Sequence, residues 1–164
     1  MKKMFVILLS MLCLTGCNAS ETMETISDDL AISAGAVAAD ITLVLDDEEA
    51  AMFCGADGSK LYVCDEYSVM VQTFAGGDVA GSIQAVTGFS KDKLTVMQTR
   101  KHDVTSYEYA WSTTGEAEDQ ICRGVLLDDG AYHYAVTIMA DYTQASSLQD
   151  TWQSILDSVM LSID

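Results

Sequence analysis

Residues 121–127 and 131–139 are two apolar, β-branched runs separated by Asp128-Asp129-Gly130. An Asp-Gly pair between such runs is the strongest short-range hairpin signal, because the tight turn wants positive φ at its centre. A hairpin this long commits the chain to an antiparallel sheet. With Asp129-Gly130 at the turn, Leu127 is expected opposite Tyr132, Val125 opposite Tyr134 and Ile121 opposite Ile138, all on one face. Arg123 shares that face, so either its end reaches solvent or the residue is unusually placed. His133 points to the face away from Tyr132 and Tyr134, where a packed strand histidine is the simplest reading.

Further strands are expected at 41–45, 60–64, 67–75, 93–99 and 104–112. A second Asp-Gly pair, Asp57-Gly58, predicts another hairpin just before residue 60. Two helices interrupt the strands. Asp78 can cap a helix over 79–87, with Val79, Ile83 and Val86 on one face and Gly88 as the stop. Ser146-Ser147-Leu148-Gln149 has capping-box spacing, and Leu148, Trp152, Ile155, Leu156 and Val159 follow as an apolar stripe that must cover a sheet face. The fold class is therefore α+β: an antiparallel meander with a mid-chain helix and a C-terminal amphipathic helix packed on it. Proline is absent, so every turn depends on Gly, Asp and Asn.

The first residues locate the protein. Met1-Lys2-Lys3 precedes an apolar run over 4–14, broken only by Ser10, which is a secretory signal too short to span a bilayer as a permanent helix. It ends in Leu14-Thr15-Gly16-Cys17, which resembles the lipobox of bacterial lipoproteins. The resemblance implies cleavage after residue 16, acylation of Cys17 and a lipid anchor on the extracytoplasmic face of a cell membrane. Two or three acyl chains, at roughly 0.8 kcal/mol per buried CH₂, anchor durably without help from protein charge. Residues 17–40 then read as the lipidated cysteine and a tether, its later part favouring a short helix. Residues 41–164 form one globular domain.

Charge narrows the partners. Eight Lys and Arg against 25 Asp and Glu give a net charge of −17, and the signal carries away two of the lysines. A phosphate-tracking surface needs clustered basic residues, which argues against nucleic acid. Docking on anionic lipid by charge is disfavoured for the same reason. A hydrophobic content of 49% is nevertheless ample for a core.

The order of elements is similar to the PsbP-like fold, named for the extrinsic subunit of photosystem II and shared with a nuclear-import factor that binds the GTPase Ran. The likeness rests on the closing helix Trp152-Gln153-Ser154-Ile155-Leu156-Asp157-Ser158-Val159 and the hairpin Leu127-Asp128-Asp129-Gly130-Ala131-Tyr132-His133-Tyr134. It implies a non-catalytic module for assembly or binding, and it transfers no site residues.

Candidate chemistry is sparse. Of five cysteines, Cys13 leaves with the signal and Cys17 is acylated. Cys54 and Cys64 flank a hairpin and could bridge in an oxidising compartment if its loop were longer or bulged, because a two-residue turn puts Cys54 opposite Leu61. Cys122 reads as a small buried strand residue. The two histidines, His102 and His133, fall into no metal-binding spacing with the cysteines. Ser90-Lys91-Asp92-Lys93 has the S-x-x-K spacing of penicillin-interacting enzymes, but the serine follows a helix stop and the companion motifs are missing. Gly76-Gly77-Asp78 has phosphate-loop glycines without the lysine, and its Asp would repel phosphate. Tyr107, Tyr109 and Trp111 share one strand face. They read as core beneath the C-terminal helix or, if that helix covers the other side, as an aromatic partner face. No cofactor is indicated. The leading expectation is a non-enzymatic binding or assembly module for an envelope protein partner. The alternative is a lipoprotein binding a small ligand or Ca²⁺ through its acidic clusters, and a carboxylate hydrolase ranks third.

Overall fold

The computed structural model describes residues 38–46, 50–114 and 119–162. In chain order the elements are β1 (Asp40–Thr42), β2 (Ala51–Cys54), β3 (Lys60–Val63), β4 (Tyr67–Ala75), α1 (Val79–Thr87), β5 (Val96–Lys101), β6 (Val104–Thr114), β7 (Asp119–Asp128), β8 (Tyr132–Asp141), α2 (Gln149–Ser158) and β9 (Met160–Ser162). Seven strands form one sheet in the order β2-β3-β4-β8-β7-β6-β5, every neighbour antiparallel. The α+β class expected from the hydrophobic pattern is the one observed.

The hairpin that dictates the sheet is β7–β8, but its register differs from the expected one by two residues. Leu127 faces Tyr134, Val125 faces Val136 and Ile121 faces Ala140. The reason is turn chemistry. Asp129 closes the ladder, its N–H donating to the Tyr132 carbonyl at 3.3 Å, so Gly130 and Ala131 make the turn. Gly130 takes φ +90°, as a two-residue loop with glycine first requires. The Asp129 carboxylate is spent on the loop instead, accepting from the N–H groups of Ala131 and Tyr132. A two-residue slip leaves every side chain on its expected face.

The β2–β3 hairpin departs by one residue. Its loop is Ala56-Asp57-Gly58, with Gly58 at φ +83°, Gly58 N–H bonded to Gly55 O and Gly55 N–H to Ser59 O. That is the three-residue loop in which a left-handed residue follows a turn. Cys54 consequently lies opposite Lys60.

The helices cover opposite faces of the sheet. α2 buries Trp152, Ile155 and Leu156, with Leu148 just ahead of it, against Val69, Val71, Val125, Val136 and Ile138. On the other face α1 sets Ile83 over Tyr107, Tyr109, Trp111, Cys122 and Leu126. Asp78 caps α1 by accepting from Ala80 N–H, and the helix closes at Gly88 as expected. The capping box ahead of α2 is not formed. Its N-cap is Leu148, and the Ser147 hydroxyl turns back to donate to the Gln144 carbonyl.

One pairing has no sequence signal. β1 pairs not with the main sheet but with β9, which follows α2 directly, so the stretch 41–45 yields only two strand residues, Ile41 and Thr42. Tyr134, fully buried, ties this seam to the hairpin: its hydroxyl accepts from Ala39 N–H at 2.9 Å and donates to Asp129 Oδ2 at 2.8 Å.

Candidate functional site

A serine, a histidine and an aspartate do meet. Ser82 on the second turn of α1 places Oγ 2.7 Å from His133 Nδ1, and Asp128 Oδ1 lies 3.7 Å from His133 Nε2. The imidazole is 1% exposed, at the base of β8. With its proton on Nε2, the ring accepts the Ser82 O–H at Nδ1 and aims N–H at a carboxylate too distant for a proper hydrogen bond. Nε2 has no hydrogen-bond partner, and Asp128 Oδ1 takes the Gly130 N–H instead.

Three features bear on what this array can do. The serine's N–H is bonded within the helix to Asp78 O at 3.1 Å, so it cannot donate to a developing oxyanion. The His133 ring is buried between α1 and the sheet, while Ser82 keeps intermediate exposure. Two surface depressions lie elsewhere: one between α1 and the 3-10 turn Lys91–Lys93, the other between α2 and β7 beside Arg123. The array fastens α1 to the β7–β8 hairpin. Its partners come from segments 46 to 51 positions apart, so no local motif could announce it.

The proposed aromatic partner face is corrected. Tyr107, Tyr109 and Trp111 are buried: α2 does lie on the opposite face, but α1 covers the row, and Lys91 Nζ sits 4.9 Å over the Tyr107 ring. Burial also pushes the Tyr109 hydroxyl well above its ordinary pKa. Sequence reasoning weighed only one helix as a cover.

The Cys54–Cys64 bridge is corrected too. Cys54 is exposed on the outermost strand. Continuing the β2–β3 register puts Cys64 opposite Ala50, four residues along the strand, or about 13 Å. That exceeds disulfide reach. Cys64 is buried and interacts with Tyr67, whose hydroxyl is raised in pKa by burial first and by Cys64 second. Cys122 is buried in the α1-side core, its thiol pushed up to about 11 by desolvation. Cys17 lies outside the described residues.

Arg123 resolves the oddity in its strand. On the α2 face, its Nη2 donates to Gln153 Oε1 at 2.6 Å and pairs with Glu108 Oε2 at 3.5 Å, its end half in solvent.

The sheet's two ends differ. β5 closes one end with Arg100 and Lys101, preceded by Lys91 and Lys93. β2 closes the other with Ala51-Met52-Phe53-Cys54, all four exposed: Met52 is 55% and Phe53 58% accessible. Edge strands are ordinarily guarded by charge, proline or a bulge. β2 carries no charge or proline. Alternation sends Met52 and Phe53 to opposite faces, and Phe53 continues inward through Leu61 and Met70.

No family model and no curated protein matches the sequence. Among solved structures, the fold is similar to a Bacteroides thetaiotaomicron protein at TM-score 0.52 and 8% identity, covering 76% of this chain and 46% of that one. LpqN of Mycobacterium tuberculosis, described as involved in cell envelope biogenesis, aligns at TM-score 0.42 and 9% identity, covering 76% of this chain and 91% of that one. The first likeness speaks for the fold alone, and the second is too loose to carry an argument. This chain spans less than half the length of the Bacteroides protein.

Proposed function

We propose that the protein is a lipid-anchored, extracytoplasmic module that binds or helps assemble an envelope protein partner and performs no catalysis. The observation that carries the binding role is the apolar edge β2, which no strand among the described residues covers, since exposed strand edges invite pairing with another chain. The lipobox residues ending in Cys17 support the anchor. The Ser82–His133–Asp128 array, locked into the fold, supports a non-catalytic role. A PsbP-like fold belongs to the same reading, resting on the closing helix and the hairpin quoted above.

The test is affinity purification of the full-length protein from detergent-solubilised native membranes after mild crosslinking, beside Cys17→Ser. Wild type should fractionate with membranes and retain a stoichiometric envelope protein, whereas Cys17→Ser should leave the membrane fraction. Membrane retention of Cys17→Ser would refute the anchor. Turnover of an ester, peptide or glycoside by the pure protein would refute the non-catalytic assignment.

A further inference from the structure

The β2 edge can be described down to which backbone groups are open. Gly55 N–H donates to Ser59 O, which makes Gly55 and Ser59 a hydrogen-bonded pair. Antiparallel pairs alternate, so Phe53 and Ala51 direct their amides toward β3, while Met52 and Cys54 turn theirs outward. Among the described residues no strand takes those outward groups. On one side of the edge stands Met52, beside Tyr62. On the other stands Phe53, with Val63, 39% exposed, farther along the same face.

Charge then selects the occupant. Around this hairpin Asp46, Asp57, Asp65 and Glu66 are all exposed, and Lys60 is the one basic side chain in it. A second copy would bring the same acidic surroundings against these, and like charges across an interface cost affinity. At the far end of the sheet the exposed groups Lys93, Arg100 and Lys101 guard β5. The two edges are thus not equivalent: one repels strand addition by a basic segment and the other favours it.

We propose that β2 accepts, as an eighth strand, an extended segment of a partner protein with alternating apolar residues between basic flanks. The incoming backbone bonds the open amides and carbonyls of Met52 and Cys54, its apolar side chains cover Phe53 on one face while the alternate residues stand beside Met52 on the other, and its flanking cations meet the acidic ends of the hairpin. This assignment rests on the binding-module reading above and names the surface and the chemistry of its partner.

The probe is a labelled, capped peptide of alternating valine and threonine between lysine pairs. Its polarisation is titrated with full-length protein in detergent under reducing conditions. Binding should weaken with salt and fall at least about tenfold when glutamates replace the flanking lysines. Met52→Pro removes an outward N–H and no ladder bond, so it should keep the native Tm and lose the peptide at least about tenfold. N-methylation of alternate peptide amides should do the same on unaltered protein, whatever the fate of the proline variant. Equal affinity for the N-methylated peptide, or for the glutamate-flanked one, overturns the proposal. So does a dimer in sedimentation that Met52→Pro dissolves, which would make a second copy the occupant. An envelope protein crosslinked equally to wild type and Met52→Pro would sink the edge assignment while leaving the binding-module reading intact.

Discussion

At the scale of single residues, the fold invests its polar side chains in fastening segments together. Ser82→Ala would strip His133 of its one hydrogen bond and leave a buried ring with two unsatisfied nitrogens. An orphaned buried polar group costs about 1–3 kcal/mol, so Ser82→Ala should lower stability by that much in denaturant titration. A catalytic serine would instead leave the midpoint untouched. Asp129 makes a second fastening. Burial raises its carboxyl pKa, but the Tyr132 N–H, the Tyr134 hydroxyl and the Ala131 N–H together outweigh that, and the net shift is downward. A carboxylate whose folded pKa is depressed contributes stability that is complete above its unfolded value near 4 and is lost as pH falls through the folded one. Asp129→Asn should therefore flatten the acid limb of a stability-versus-pH curve below about pH 4. An unchanged slope would show that the pairing with Tyr134 carries no linkage.

At the scale of elements, legibility in the sequence followed the length of the signal. β7, β8, α1 and the stripe of α2 are long enough for periodicity to identify them, and Asp78 and Gly88 marked both ends of α1. Registers were less legible, because an Asp-Gly pair fixes that a turn occurs without fixing which residues stand at its centre. Gly130-Ala131 and Ala56-Asp57-Gly58 each displaced the expected pairs. The α2 cap was misread because the helix begins at Gln149 with Leu148 at its N-cap, two residues beyond the Ser146 that the capping box would use. β9 could not be seen at all: three residues carry no period, and its partner lies about 120 positions upstream. The candidate site was hidden for the same reason. Ser82, His133 and Asp128 meet through topology, and the openness of β2 depends on which strand ends the sheet. Deleting residues 160–164 should expose the amides of 40–42 to rapid hydrogen exchange while protection in β4, β7 and β8 persists. Loss of protection throughout would show that the seam between β1 and β9 holds more than itself.

At the scale of the molecule, the arrangement is three layers with one well-sealed half. The two helices cover β7 and β8, where the core is densest, and the sheet thins toward β2 and β3. The acidic surplus keeps copies apart in water. It also makes the apolar strand less hazardous to its owner than it would be on a neutral domain, since self-pairing must overcome like charge on both sides.

The seam between Asp40–Thr42 and Met160–Ser162 has a temporal meaning as well. Its two halves are separated by about 120 positions, and contacts between distant segments form only after the intervening loop has been closed. Residues 160–162 must have left the ribosome before this closure can happen, so the N-terminal strand stays unpaired until they emerge. On the proposed reading, in which the chain is exported, this delay is useful, because it favours an unfinished, threadable state until residues 160–162 emerge. Nascent chains stalled with residue 159 at the tunnel exit should be cut by protease within 38–46, while released chains resist. Resistance in the stalled chains would mean that the N-terminal strand is secured without its distant partner.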